Sequence, residues 1–204
     1  MTNKTPPLIS RKSKRAFTLI ELLVVISIIA ILASLAIPAI SGALVKGQMT
    51  QTLNNARQLH LATQTYSLDA VVSGGASWTL DEDGNQFSVD GFSQHLITNK
   101  YLSTNDLRKI YQAPGVVISD DDTTFSANNI AWSIMETRAS DRAAHVFLVT
   151  KNWQNGAVAA GSVPYGAKGF IVMQKQGSGS INKTNTATNS SVVGTGYSEL
   201  QPLN

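Results

Sequence analysis

Residues 22 to 40 read Leu-Leu-Val-Val-Ile-Ser-Ile-Ile-Ala-Ile-Leu-Ala-Ser-Leu-Ala-Ile-Pro-Ala-Ile, with only Ser27 and Ser34 as polar interruptions. As a helix rising about 1.5 Å per residue, such a run crosses the roughly 30 Å hydrocarbon core of a bilayer. A surface helix of a soluble domain would keep one polar face, and this one is apolar all round. Both serines can bond back to their own helix, so neither forbids burial in lipid. A cleaved secretory signal would have a shorter apolar region ending in a small-residue cleavage site. Here Ser34, Ala36 and Ala39 are followed by more helix-like sequence. The expectation is a spanning helix that stays with the chain.

Charge gives that helix a direction. Five of the 16 basic residues, Lys4, Arg11, Lys12, Lys14 and Arg15, precede the apolar run, and no acid accompanies them. The remaining 11 face all 13 acidic residues, so the net charge of +3 is a basic tip on a slightly acidic body. That distribution is a topology signal rather than a nucleic-acid surface. It puts Arg11 to Arg15 in the cytoplasm and the chain beyond Val45 across the membrane. With 43% apolar and 14% charged residues the chain is not a disordered polyelectrolyte. It has no cysteine, so disulfide scaffolds and thiolate metal sites are excluded.

Glu21 sits near the start of the spanning helix, where an unpaired carboxylate costs about 2.5 kcal/mol or more. The plain reading is that it reaches headgroup water; the functional one is that it has a partner. Its flanks decide between them. Lys14-Arg15-Ala16-Phe17-Thr18-Leu19-Ile20-Glu21, followed by the aliphatic run, resembles the N-terminal signal of type IV pilins and type II secretion pseudopilins. The resemblance covers about residues 11 to 60. It implies that residues 1–16 are a basic leader, removed by a prepilin peptidase that cuts between Ala16 and Phe17 and N-methylates Phe17. Where the family usually has Gly, this chain has Ala16, another small residue. The resemblance also implies a role for Glu21 in assembly: neutralising the Phe17 ammonium of a neighbouring subunit. Pro38 and Gly42 mark a helix kink, since proline removes one ladder bond. Whether it is an ordinary membrane-helix kink or a bend used in assembled filaments stays open.

Beyond the membrane, Val45, Met49, Thr52, Ala56, Leu59, Thr63 and Tyr66 fall at alternating four- and three-residue steps, one stripe of an amphipathic helix. A helix from Phe17 to about Leu68 would be roughly 78 Å long at about 1.5 Å per residue, too long for one small domain to cover. The chain divides into a transmembrane or assembly half of the helix (17–45), an amphipathic half (46–72), a globular domain (73–176) and a flexible Gly/Ser/Thr/Asn-rich tail (177–204). Residues 78–80 and 86–89 read as a hairpin around an Asp-Gly turn, and residues 91–102 as a short helix. Strands are expected over 130–136, 144–150 and 168–174. One helix followed by antiparallel strands is an α+β fold, the sheet covering the helix stripe. This matches the pilin-like layout the resemblance implies.

No catalytic constellation stands out. His60, His95 and His145 lack metal-ligand spacing, and no phosphate loop or nucleophile elbow is present. Two acidic clusters, Asp81 with Asp83 and Asp120 with Asp121 and Asp122, read as solvated turns, with calcium as the weaker alternative. Trp78, Trp132, Phe147 and Trp153 read as core. No cofactor is therefore expected, calcium apart.

The resemblance implies a structural, non-enzymatic subunit of a type II secretion-type pseudopilus. Its expected partners are itself and other pilin-like subunits, the prepilin peptidase, the membrane, and an inner-membrane assembly platform with its ATPase. The expected location is the inner membrane, with the C-terminal domain periplasmic or extracellular. The alternatives are a major or minor type IV pilin, and a membrane-anchored stand-alone binding domain.

Overall fold

The burial of one long helix changes abruptly along its length. The computed structural model describes residues 17–73, 77–81, 83–118, 124–194 and 200–204. Helix α1 (Leu19–Ser73) runs through two units, one ending at Ala43 and one from Leu44 to Asn204. In the first, every described residue is exposed. In the second, Met49, Thr52, Ala56, Leu59, Thr63 and Tyr66 are all buried and Val45 is half-buried against the core, which is the stripe read from the sequence. Its hydroxyls are satisfied: Thr63 Oγ1 donates to Leu59 O (2.8 Å) and Thr52 bonds the Tyr165 hydroxyl (2.6 Å). The helix continues past Leu68 to Ser73.

Two short helices follow. Helix α2 (Val89–Thr98) starts where the Ser88 side chain accepts from Gly91 N–H, and it buries Val89, Phe92 and Leu96 on one face. That shortens the expected hairpin: Ser88 caps a helix, and around the turn the Leu80–Gln86 bridge is joined by Phe87 N–H donating to Thr79 O (3.1 Å) and Asp81 N–H to Asn85 O (2.9 Å). Helix α3 (Thr104–Tyr111), absent from the sequence reading, opens with a capping box between Ser103 and Asp106 and buries Leu107, Ile110 and Tyr111.

The sheet is antiparallel, in the order β1 (Trp132–Ile134), β2 (Val146–Thr150), β5 (Phe170–Gln174), β6 (Gly179–Asn182). Between β2 and β5 a separate ribbon, β3 (Trp153–Gln154) with β4 (Ala157–Val158), turns on Asn155 and Gly156, both at positive φ. All five residues of β2 and all five of β5 are buried, so both faces of the sheet are covered. Along β5 the faces alternate strictly. Ile171 and Met173 join the core that contains Leu53, Ala56 and Leu59 of α1, while Phe170 and Val172 join a second core. Along β2 a register shift between Val146 and Leu148 lets Phe147 and Leu148 both serve the first core.

The second face is covered in part by residues 179–193 of the segment expected to be a flexible tail, and for these residues that expectation is corrected. β6 extends the sheet, Ala187 and Val193 lie in the second core, and helix α4 (Ser190–Val193) carries the latter. Trp153 Nε1 donates to Ala187 O (2.8 Å). Pro202 bridges Met135, Leu203 N–H donates to Ile134 O (2.8 Å), and Leu203 is 2% exposed. The small residues that suggested mobility permit close approach instead. A Cβ on Gly179 would fall 2.6 Å from Leu53 Cδ1 and 2.8 Å from Met173 Cε, so a larger residue on this edge strand would make those side chains shift.

Leu203→Ala should lower stability by about 2–5 kcal/mol, as for other buried leucines, read as a drop in the thermal midpoint of the C-terminal unit. A mobile tail would leave that midpoint unchanged.

Candidate functional site

The chemistry singled out in the sequence gathers at the start of α1. Ala16 lies outside the described residues, which begin at Phe17 with its ring exposed. Thr18 and Glu21 close a reciprocal cap. Thr18 N–H donates to Glu21 Oε2 (2.8 Å) and Thr18 Oγ1–H donates to the same oxygen (2.7 Å). Glu21 N–H in turn donates to Thr18 Oγ1 at 3.3 Å. Two otherwise orphaned helix-start donors are satisfied, and the carboxylate stands at the positive end of the helix dipole. Thr18 was missed in the sequence reading, although Thr-x-x-Glu ahead of an apolar run is the capping-box signature.

Beyond the Thr18 cap, the described side chains beside that carboxylate are apolar. Phe17, Ile20, Val24 and Val25 line one shallow groove with Glu21, as expected for neighbours three and four residues apart on a helix. Farther on, Ser27, Ser34 and Ser41 donate to Leu23 O (2.8 Å), Ile31 O (2.7 Å) and Pro38 O (2.9 Å), so these hydroxyls need no outside partner. An 18-residue window of this helix has a mean hydropathy of 2.8 with none of it buried. By length and composition it suits a bilayer crossing. Pro38 and Gly42 lie within the continuous helix; Pro38 cannot donate to the carbonyl four residues back, and no atom stands within 4 Å of a Cβ built on Gly42.

The acidic clusters are partly visible. Asp81 Oδ1 accepts from the N–H groups of Asp83 (3.0 Å) and Asn85 (2.7 Å), so this carboxylate organises its own turn. Asp120, Asp121 and Asp122 lie outside the described residues. Among the described residues no three His, Asp or Glu side chains gather closely enough to hold a metal. The histidines serve packing and backbone contacts. His60 Nε2 donates to Lys175 O (2.7 Å), His145 Nε2 to Glu136 O (2.8 Å), and His95 meets the Tyr66 ring at 4.5 Å. Trp78, Trp132, Phe147 and Trp153 are all buried, as expected of core. A cavity of about 480 Å³ beside α3 is lined by Gln48, Gln51, Asn55 and Gln112, with Lys109 the single ionisable lining group among the described residues.

Comparison with known proteins singles out the same end of the chain. Residues 11–37 match the family described as the prokaryotic N-terminal methylation motif. No curated protein and no solved structure matches the chain. Over residues 11–37 the chain therefore carries the prepilin-type methylation motif of type IV pilin-like proteins, and its long N-terminal helix followed by an antiparallel sheet is a pilin-like layout.

Proposed function

We propose that this chain is a filament subunit of the type II secretion pseudopilin kind. Removal of residues 1–16 between Ala16 and Phe17 by a prepilin peptidase, with N-methylation of Phe17, precedes its assembly into a helical bundle. The observation that carries this reading is the Thr18–Glu21 cap: a single carboxylate held at the edge of an apolar helix with no covered face. Before the cut, Thr18 occupies that carboxylate and the helix rests in the inner membrane as a single span, the later residues outside the cytoplasm. After the cut, the Phe17 ammonium of a neighbouring subunit offers a charged partner, whose hydrogen bond is about twice as strong as one from a neutral donor. A subunit seated at the wrong rise would leave a bare carboxylate among aliphatic chains, so the pair selects register. Apolar contact with neighbouring helices replaces lipid, while the assembly platform and its ATPase supply the work of extraction. The absence of cysteine supports a pseudopilin over a type IV pilin, whose outer domain commonly has a disulfide-bounded loop.

Two substitutions separate the carboxylate's roles. Thr18→Ala removes the cap hydroxyl at a cost of about 1 kcal/mol and should leave incorporation into filaments near the wild-type level. Glu21→Ala should still insert in the membrane yet vanish from sheared filaments, since losing one partner of a buried ion pair costs about 3–5 kcal/mol. Equal loss in both variants would reduce Glu21 to a helix cap. Normal incorporation of Glu21→Ala would favour a membrane-anchored stand-alone domain.

A further inference from the structure

In the turn that follows β1, three backbone carbonyls converge on one point. Lys175, the residue after β5, places Nζ 2.7 Å from Arg138 O, 2.6 Å from Ala139 O and 2.8 Å from Asp141 O. An ammonium has three donors, and these carbonyls take all three. The same Nζ lies 5.5 Å from the centroid of the Trp78 ring, where a cation is attracted by the π face. The Lys175 backbone is fixed as well: its N–H donates to His145 O (2.8 Å) and its carbonyl accepts from His60 on α1 (2.7 Å). The turn is closed by Asp141 N–H donating to Arg138 O (3.1 Å) and Arg138 N–H donating to Asp141 Oδ2 (2.6 Å).

Carbonyl oxygens aimed at a common point repel one another, and proteins ordinarily place a cation there. We infer that the Arg138–Asp141 turn is a built cation seat whose resident ion is the chain's own Lys175 ammonium, and that a small alkylammonium ion takes its place when the lysine is shortened. The seat orders the β1–β2 connection from within the chain. Burial lowers the Lys175 pKa from its ordinary value, and the Asp141 charge opposes that shift. The three carbonyls favour the charged form too. This seat is independent of how the N-terminus is processed.

The test is hydrogen exchange of the full-length protein in detergent micelles, followed over residues 137–142 with residues 146–150 as the internal reference. Lys175→Met keeps an apolar stem on Trp78 without the charge, and exchange in 137–142 should rise by about tenfold or more while 146–150 is unchanged. Lys175→Ala removes the three carbons and the nitrogen that propylammonium carries. Adding propylammonium should return its exchange toward the wild-type rate, whereas tetramethylammonium, which has no N–H, should not. Unaltered exchange in Lys175→Met, a rise shared equally by 146–150, or no preference for propylammonium over tetramethylammonium would each overturn the assignment.

Discussion

Apolar surface that the chain cannot cover itself is the constraint behind this structure. From Met49 onward, α1 lays a stripe against the sheet and two short helices, and its polar positions find partners there. Before Ala43 the same helix is a cylinder of Leu, Ile, Val and Ala with no buried residue. Water is an unfavourable solvent for such a surface at about 25 cal/mol per Å². By length and composition such a surface suits a lipid environment or apolar helical partners. Intrahelical serine bonds and the Thr18–Glu21 cap remove the polar obstacles to both environments.

The C-terminal unit solves a different burial problem. VFLVT and FIVMQ are continuous apolar runs rather than alternating ones, so each strand needs cover on both sides. Helix α1 and its neighbours supply the first side. Trp153, Ala187 and Val193 supply the second, from a ribbon and a chain end rich in small polar residues. Turns then carry the fine positioning: the Asn155-Gly156 ribbon, the carboxylate-organised turn at Asp81, and the turn seated on Lys175.

Much of this was legible in the sequence where the signal is periodic and local. The α1 stripe, α2 and the three principal strands follow from residue spacing; Glu21 stands out by its place at the start of an apolar run, and Phe17 enters only through the resemblance to the prepilin motif. What escaped has physical reasons. Helix α3 has only eight residues, so its one apolar face of Leu107, Ile110 and Tyr111 spans a single turn, too short to stand out, and its capping box was the clearer signal. The ribbon was signalled by Asn-Gly alone, flanked by strands of two residues each. The C-terminal cover was misread because its glycines suggested mobility, whereas Gly179 lies in β6 close against the Leu53 side chain of α1. The unbroken apolarity of β2 and β5 already required such a cover. Lys175 gave no sequence signal, because its partners are backbone carbonyls more than 30 residues away.

The N-terminal chemistry stands or falls on one covalent fact, the identity of the first residue in the native membrane. Intact mass of the protein recovered from membranes of its native host reads it directly. A chain beginning at Phe17, with or without one added methyl group, is the predicted result. A chain that keeps residues 1–16 in cells with an active prepilin peptidase would contradict it, and would leave Glu21 as the cap of a simple membrane anchor.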